Sequence, residues 1–255
     1  VAEVRPDVVY HLAGQADVAA SWLSPIETMR VNVEGTHNIL EAARTFGVPK
    51  VLTVSSADIY GVVAPEELPI VESAPLRPVS PYAASKAAAD LVALQAHLGH
   101  GQDVVRARAF NHLGPGQSKS FVGAGFAARI VAAERSGDDE LQTGDLTPRR
   151  DFTDVRDVVR AYRLLATEGR PGVAYNICSG TSVSIGELAG LLLGLTDARM
   201  RLVEDPDLLR PVELPELRGD ASLLRRHTGW APSISLDETL SDVLEDWRLR
   251  LTEAQ

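Results

Sequence analysis

The sequence predicts an α/β fold: a doubly wound, parallel, Rossmann-type sheet with a smaller α/β domain toward the C-terminus. Three observations predict it. Short, largely apolar runs at residues 7–13 and 51–55 have the length of buried strands, and 104–110 reads as a further strand. Each is separated from the next by a segment long enough for a helix, so consecutive strands pair in parallel. Beyond Asn111 this alternation lapses at Gly114-Pro115-Gly116, where a second unit begins.

The elements follow in order. Asp7-Val8-Val9-Tyr10-His11-Leu12-Ala13 reads as the first strand, and residues 26–46 as one long helix ended by Gly47. After the strand at 51–55, Pro65, Pro69, Pro75 and Pro78 keep the chain irregular up to a helix over 82–98. A strand at 104–110 follows, then helices near 122–134, 154–167, 185–193 and 236–249. The predicted division assigns residues 1–112 and 151–178 to a partial dinucleotide-binding domain, and 113–150 and 179–255 to a substrate domain.

Composition narrows the class. With 255 residues, 45% hydrophobic and 24% charged, the chain is a globular protein rather than a disordered or fibrous one. A formal net charge of -10 opposes nonspecific binding to nucleic acid or to an anionic membrane. The single cysteine, Cys178, lies in the apolar run Ala174-Tyr175-Asn176-Ile177-Cys178, which points to a buried thiol and excludes an internal disulfide. No apolar run approaches the roughly 20 residues of a membrane helix, and cytoplasmic residence is expected.

The chemistry centres on Tyr82 and Lys86. Spaced i, i+4 at the start of a predicted helix, they share one face and reach one site. A phenol titrates near 10, so a cation one turn away that stabilises the phenolate makes the pair a proton-transfer device. Ser55-Ser56 ends the preceding strand, where Ser56 is placed to hold a substrate oxygen. The histidines show no metal-ligand spacing, so no metal is assigned.

The order His11-Leu12-Ala13-Gly14, Val31-Asn32-Val33-Glu34-Gly35-Thr36, Ser55-Ser56, Tyr82 and Lys86 resembles the extended short-chain dehydrogenase/reductases that modify nucleotide sugars. The blocks Phe110-Asn111-His112-Leu113-Gly114-Pro115-Gly116-Gln117, the run from Arg149 to Asp157, and Arg210-Pro211 look most like the GDP-mannose 4,6-dehydratases and GDP-4-keto-6-deoxy-mannose reductases. The resemblance implies a nicotinamide cofactor, NAD or NADP, beside Leu12, Ala13, Gly14, Ser55, Tyr82 and Lys86. It implies catalytic roles for Ser56, Tyr82, Lys86 and Asp58, and contacts to a GDP-hexose from Asn111, Val122, Arg150, Arg210 and Glu213. Lys86 would lower the tyrosine pKa, Asn32 would fix the site's geometry, and Asp154 would cap the next helix. A homodimer through helices 26–46 and 82–98 is implied as well.

Within that family an acid at the position of Asp58 serves dehydratases as the base for a sugar C5 proton, with a polar neighbour assisting loss of the C6 hydroxyl. Here the neighbour is Ala57 and the acid is the short Asp58, which weakens the case for a dehydratase, and UDP-sugar 4-epimerases resemble the quoted blocks less, so a reductase is favoured with dehydratase and 4-epimerase as alternatives. The family's opening strand, Gly-rich turn and helix have no counterpart, a difference of on the order of 60 residues. A segment of a longer protein, inactive by itself, is therefore expected in preference to a noncatalytic relic, because losing central strands exposes apolar faces.

Overall fold

The computed structural model describes residues 1–197, 199–208, 212 and 214–253. Its main sheet is parallel, in the order β1-β2-β3-β7: β1 is Val8–His11, β2 Lys50–Ser56, β3 Val104–Ala109 and β7 Ala174–Ile177. Val51 pairs with Val104 and Leu52 with Val105. The alternation of strand side chains sends these pairs to opposite faces. Val51 and Val104 pack with Leu40, Ala43, Ala93 and Ala96 of helices α3 (Gly35–Thr45) and α4 (Pro81–His100). Leu52 and Val105 pack with Val158, Ala161 and Leu165 of helix α6 (Val155–Glu168). β2 and β3 are therefore covered on both sides, as the sequence predicts, whereas β1, expected to be buried, lies at the edge of the sheet with Tyr10 41% exposed.

Helix α4 follows its local signals. Ser80 caps it by accepting from the Ala83 amide at 3.1 Å, Pro81 takes the first turn, and Gly101 ends it in the left-handed region at φ 68°. The segment expected as a single helix over 26–46 is instead three pieces: α2 (Pro25–Met29), a π-turn at Arg30–Glu34, and α3. The wide turn holds Asn32, whose side chain is fully engaged outside its own helix. A short helix α1 (Val18–Leu23), capped by Asp17, lies ahead of it, too short for apolar periodicity to mark it in the sequence.

The second unit is built on strand β6 (Arg149–Asp154), flanked in parallel by β4 (Asn111–Leu113) and β10 (Glu216–Leu217) and antiparallel by β8 (Ser182–Ser184). β5 (Glu140–Thr143) pairs separately with β9 (Arg201–Glu204). Helices α5 (Val122–Ser136), α7 (Ile185–Leu193) and α9 (Leu236–Glu253) enclose a core of Phe126, Ile130, Leu188, Leu192, Leu240 and Leu244. Asp154 caps α6, accepting from the Arg156 amide at 2.7 Å, as expected. Helix α8 (Ser222–Thr228) and Trp230 pack on the first core, with the Trp230 indole donating to the Asp157 carbonyl at 3.0 Å. No helix among the described residues is long and apolar enough to cross a membrane.

Candidate active site

At the carboxyl ends of β1, β2 and β3 the structure opens a cavity of about 620 Å³. Parallel sheets of this kind place ligands at this edge, where the strands hand over to loops. Leu12, Gly14, Ser55, Ser56, Asp58, Tyr82, Lys86, Asn111 and Val122 all contribute to its wall. Ala13 does not. Arg150 is also outside it: the side chain is buried and Nη1 donates to the Leu214 carbonyl at 2.7 Å, holding β6 to the segment ahead of β10. Arg210 and Glu213 lie outside the described residues.

Tyr82 is anchored through its amide, which donates to the buried Ser21 hydroxyl of α1 at 3.1 Å. Burial and the nearby Asp58 carboxylate push the phenol well above its ordinary pKa, and a hydrogen bond with Ser56 only partly opposes them. Lys86 differs from its expected role. Its ammonium donates to the Val54 carbonyl at 2.5 Å, and burial lowers its pKa to about 8 against the raising influence of Asp90. The groups that set the tyrosine are burial, Asp58 and Ser56. The protein alone thus holds Tyr82 protonated.

Ser56 also caps the short turn Ala57–Tyr60, accepting from the Asp58 amide at 3.2 Å, and lines the cavity together with Tyr82. Ser55 points the other way and donates to the Lys86 carbonyl at 3.2 Å. Asn32 holds the loop after β1: its Oδ1 accepts from the Gln15 amide at 2.8 Å and its Nδ2 donates to the Gln15 carbonyl at 3.0 Å. A Cβ on Gly14 would fall 2.9 Å from Asn32 Oδ1, so this loop needs glycine to pass so close. A close backbone approach beside Lys86 and Ser55 suits the ribose and nicotinamide end of a dinucleotide, and the donor set fits that group.

Sequence reasoning missed one wall. Val155, Val158, Val159 and Tyr162, at spacings of 3, 4 and 7 along α6, turn toward the cavity. The Tyr162 phenol is raised by burial and by the proximity of Tyr82, which puts two phenols in one cavity. The helical periodicity of 155–162 was the available signal, but it equally suits packing on the sheet. Among the described residues no cluster of His, Cys, Asp or Glu is arranged to hold a metal.

The fold and this arrangement are those of an α/β protein of the short-chain dehydrogenase/reductase class. A family model described as GDP-mannose 4,6 dehydratase matches residues 1–243. GDP-6-deoxy-D-mannose reductase of Pseudomonas aeruginosa is 41% identical over 251 residues, 97% of this chain and 82% of that protein. The chain belongs to the GDP-mannose 4,6-dehydratase family. Among solved structures, RMD from Pseudomonas aeruginosa complexed with NADPH superposes with a TM-score of 0.90, at 41% identity, over 97% of this chain and 83% of that one. UDP-glucose 4-epimerase of Thermotoga maritima with UDP-glucose matches at 0.90 and 29% identity, over 97% of this chain and 79% of that one.

Proposed function

We propose that the protein is a nicotinamide-dependent oxidoreductase that reduces the 4-keto group of a GDP-4-keto-6-deoxy-hexose. The carrying observation is geometric: Ser56 at the end of β2 and Tyr82 and Lys86 on the first turns of α4 line one cavity at the carboxyl edge of the parallel sheet, where a hydroxyl and a phenol can meet one substrate oxygen. Reduced nicotinamide cofactor, NADH or NADPH, would be held beside Leu12, Gly14, Ser55 and Lys86 and would supply the hydride. As the C4 carbonyl becomes an alkoxide, Tyr82 transfers its proton to that oxygen. Ser56 donates a hydrogen bond to the same oxygen and aligns it. Lys86, held by the Val54 carbonyl and lining the same cavity, is placed to bind the ribose of the nicotinamide. Likeness to the reductase from Pseudomonas aeruginosa and to the complex with NADPH supports the direction.

In this reading Asn111 and Val122 meet the sugar nucleotide at the cavity wall. Arg210 and Glu213 complete the diphosphate and ribose contacts, whereas Arg150, turned to the Leu214 carbonyl, supports β6 from outside the cavity. Self-association as a homodimer through α2–α3 and α4, and a cytoplasmic location where reduced cofactor and sugar nucleotides are available, belong to the same reading. A dehydratase reading is favoured by one observation: Asp58 is in the cavity wall, close enough to Tyr82 for its charge to act there. Incubating the full-length protein with NADPH and GDP-4-keto-6-deoxy-mannose, and separately with GDP-mannose, tests the choice. NADPH oxidation with the first is expected; water loss from GDP-mannose without net NADPH consumption overturns the reductase assignment.

A further inference from the structure

Two arginines in a central strand contradict the apolar composition that a sheet covered on both faces calls for. Arg106 and Arg108 of β3 are 8% and 5% exposed, and both turn toward α4. They meet on one carboxylate. Asp90 accepts from Arg106 Nη1 at 2.6 Å and from Arg108 Nε and Nη2 at 3.1 and 2.8 Å. Asp90 is one helical turn beyond Lys86 and two beyond Tyr82, on the face that bears them.

Arg108 reaches further. Its Nη1 donates to the Tyr60 hydroxyl at 3.0 Å and to the Glu72 carbonyl at 2.9 Å, and its guanidinium lies 5.4 Å from the Tyr60 ring centroid. The Tyr60 hydroxyl in turn donates a hydrogen bond to Asn176 Oδ1 on β7, at 2.7 Å. Tyr60 closes the turn Ala57–Tyr60 that begins after Ser56 and carries Asp58. Gly61, in the next position, fixes that turn against the Arg77 carbonyl. One buried guanidinium therefore joins the helix of Tyr82 and Lys86, the turn of Ser56 and Asp58, and the strand that runs on into Asn111.

A buried ion pair is weak evidence for stability, since apolar residues of similar volume do as well or better. What such a network supplies is defined geometry, because the guanidinium fork accepts its partners only in fixed directions. We infer that Arg108, braced by Asp90 and Tyr60, is a positioning residue that sets the Tyr82–Lys86 helix against the Ser56–Asp58 turn and so fixes the spacing of the proton donor and the hydroxyl that aligns the substrate oxygen. The inference rests on the catalytic reading of those groups given above.

The experiment compares Tyr60→Phe, Arg108→Lys and, as control, Tyr82→Phe in the full-length protein, by steady-state reduction of GDP-4-keto-6-deoxy-mannose and by thermal unfolding. Displacements of about 1 Å in a site cost up to about a hundredfold. Tyr60→Phe is expected to lower kcat about tenfold and Arg108→Lys about a hundredfold, with KM within twofold and no loss of folded protein at the assay temperature. Should Arg108→Lys fail to fold, Tyr60→Phe decides alone. Unchanged kcat in the folded variants, or a change in KM alone, overturns the inference while leaving the catalytic reading in place. An active Tyr82→Phe, or no turnover by the unaltered protein, removes the catalytic reading and this inference together.

Discussion

Asn32 donates a hydrogen bond to Ser85 Oγ at 2.8 Å, joining residues 53 apart in sequence. Ser85 stands between Tyr82 and Lys86 and donates a hydrogen bond to the Tyr82 carbonyl at 2.7 Å. With Gln15 as its other partner, Asn32 ties the loop after β1 to the first turn of α4. Asn32→Ala leaves the Gln15 amide and its carbonyl without partners, which costs about 1–3 kcal/mol for groups shielded from water. Urea unfolding should show that loss, with turnover reduced in the folded variant. A stability equal to the unaltered protein would mean that water replaces the amide at no cost.

Removing the Tyr82 hydroxyl separates chemistry from binding. Tyr82→Phe should reduce kcat by roughly a hundredfold or more, the low end of what a positioned acid supplies. Affinity for GDP, measured by titration calorimetry, should stay within about twofold because the ring still fills its place.

Asp58→Asn distinguishes the two reactions. Reduction involves no C5 proton, so the variant should keep reductase activity, and the loss of a negative charge beside Tyr82 should lower the phenol's pKa. The acidic-to-basic limb of the kcat profile should then move to lower pH. Abolished conversion of GDP-mannose by an otherwise active protein would assign the carboxylate to dehydration.

Lys86 gives the protein a distinct pH response. Its folded pKa, about 8, is below the ordinary lysine value of 10.5 because burial penalises the charge. Below pH 8 the group is charged in both states and the full burial penalty weakens the fold. Between about 8 and 10.5 the unfolded chain binds more protons, so this group's contribution to stability rises with pH through that window. Lys86→Met should be more stable than the unaltered protein at pH 7, with the gap closing as pH approaches 10. Unfolding midpoints of both proteins across pH 7–10 test the sign; a constant gap would place the lysine pKa outside this window.

Gly61 is the most constrained point next to the site. It adopts φ 63° and ψ -144°, and a Cβ there would fall 1.7 Å from the Arg77 carbonyl oxygen. Gly61→Ala should destabilise the fold by more than about 1–3 kcal/mol, the usual cost of a strained backbone conformation alone. Urea unfolding measures it, and a loss under about 0.5 kcal/mol, the range of ordinary surface substitutions, would show that the turn relaxes freely.

Several features of this protein are carried by short-range signals. The i, i+4 pair Tyr82 and Lys86, the Ser80-Pro81 start and Gly101 end of their helix, and Ser56 at a strand's end depend on neighbours within one or two turns. The alternation of apolar strands and helices likewise determined the doubly wound sheet. What tertiary structure decided depends on partners far away in the chain. The π-turn at Arg30–Glu34 holds Asn32, whose bonds to Gln15 and Ser85 no local pattern announces. Arg150 lies within a recognisable block, yet the Leu214 carbonyl takes its guanidinium away from the cavity wall. Arg106 and Arg108 look like faults in a strand until Asp90 comes to lie beneath them. Helix α8 escaped notice because its seven residues gain most of their stability from packing, which periodicity over so short a span does not reveal. Propensity, capping and periodicity are properties of neighbouring residues, whereas the partner of a buried charge or amide is chosen only when packing brings distant segments together.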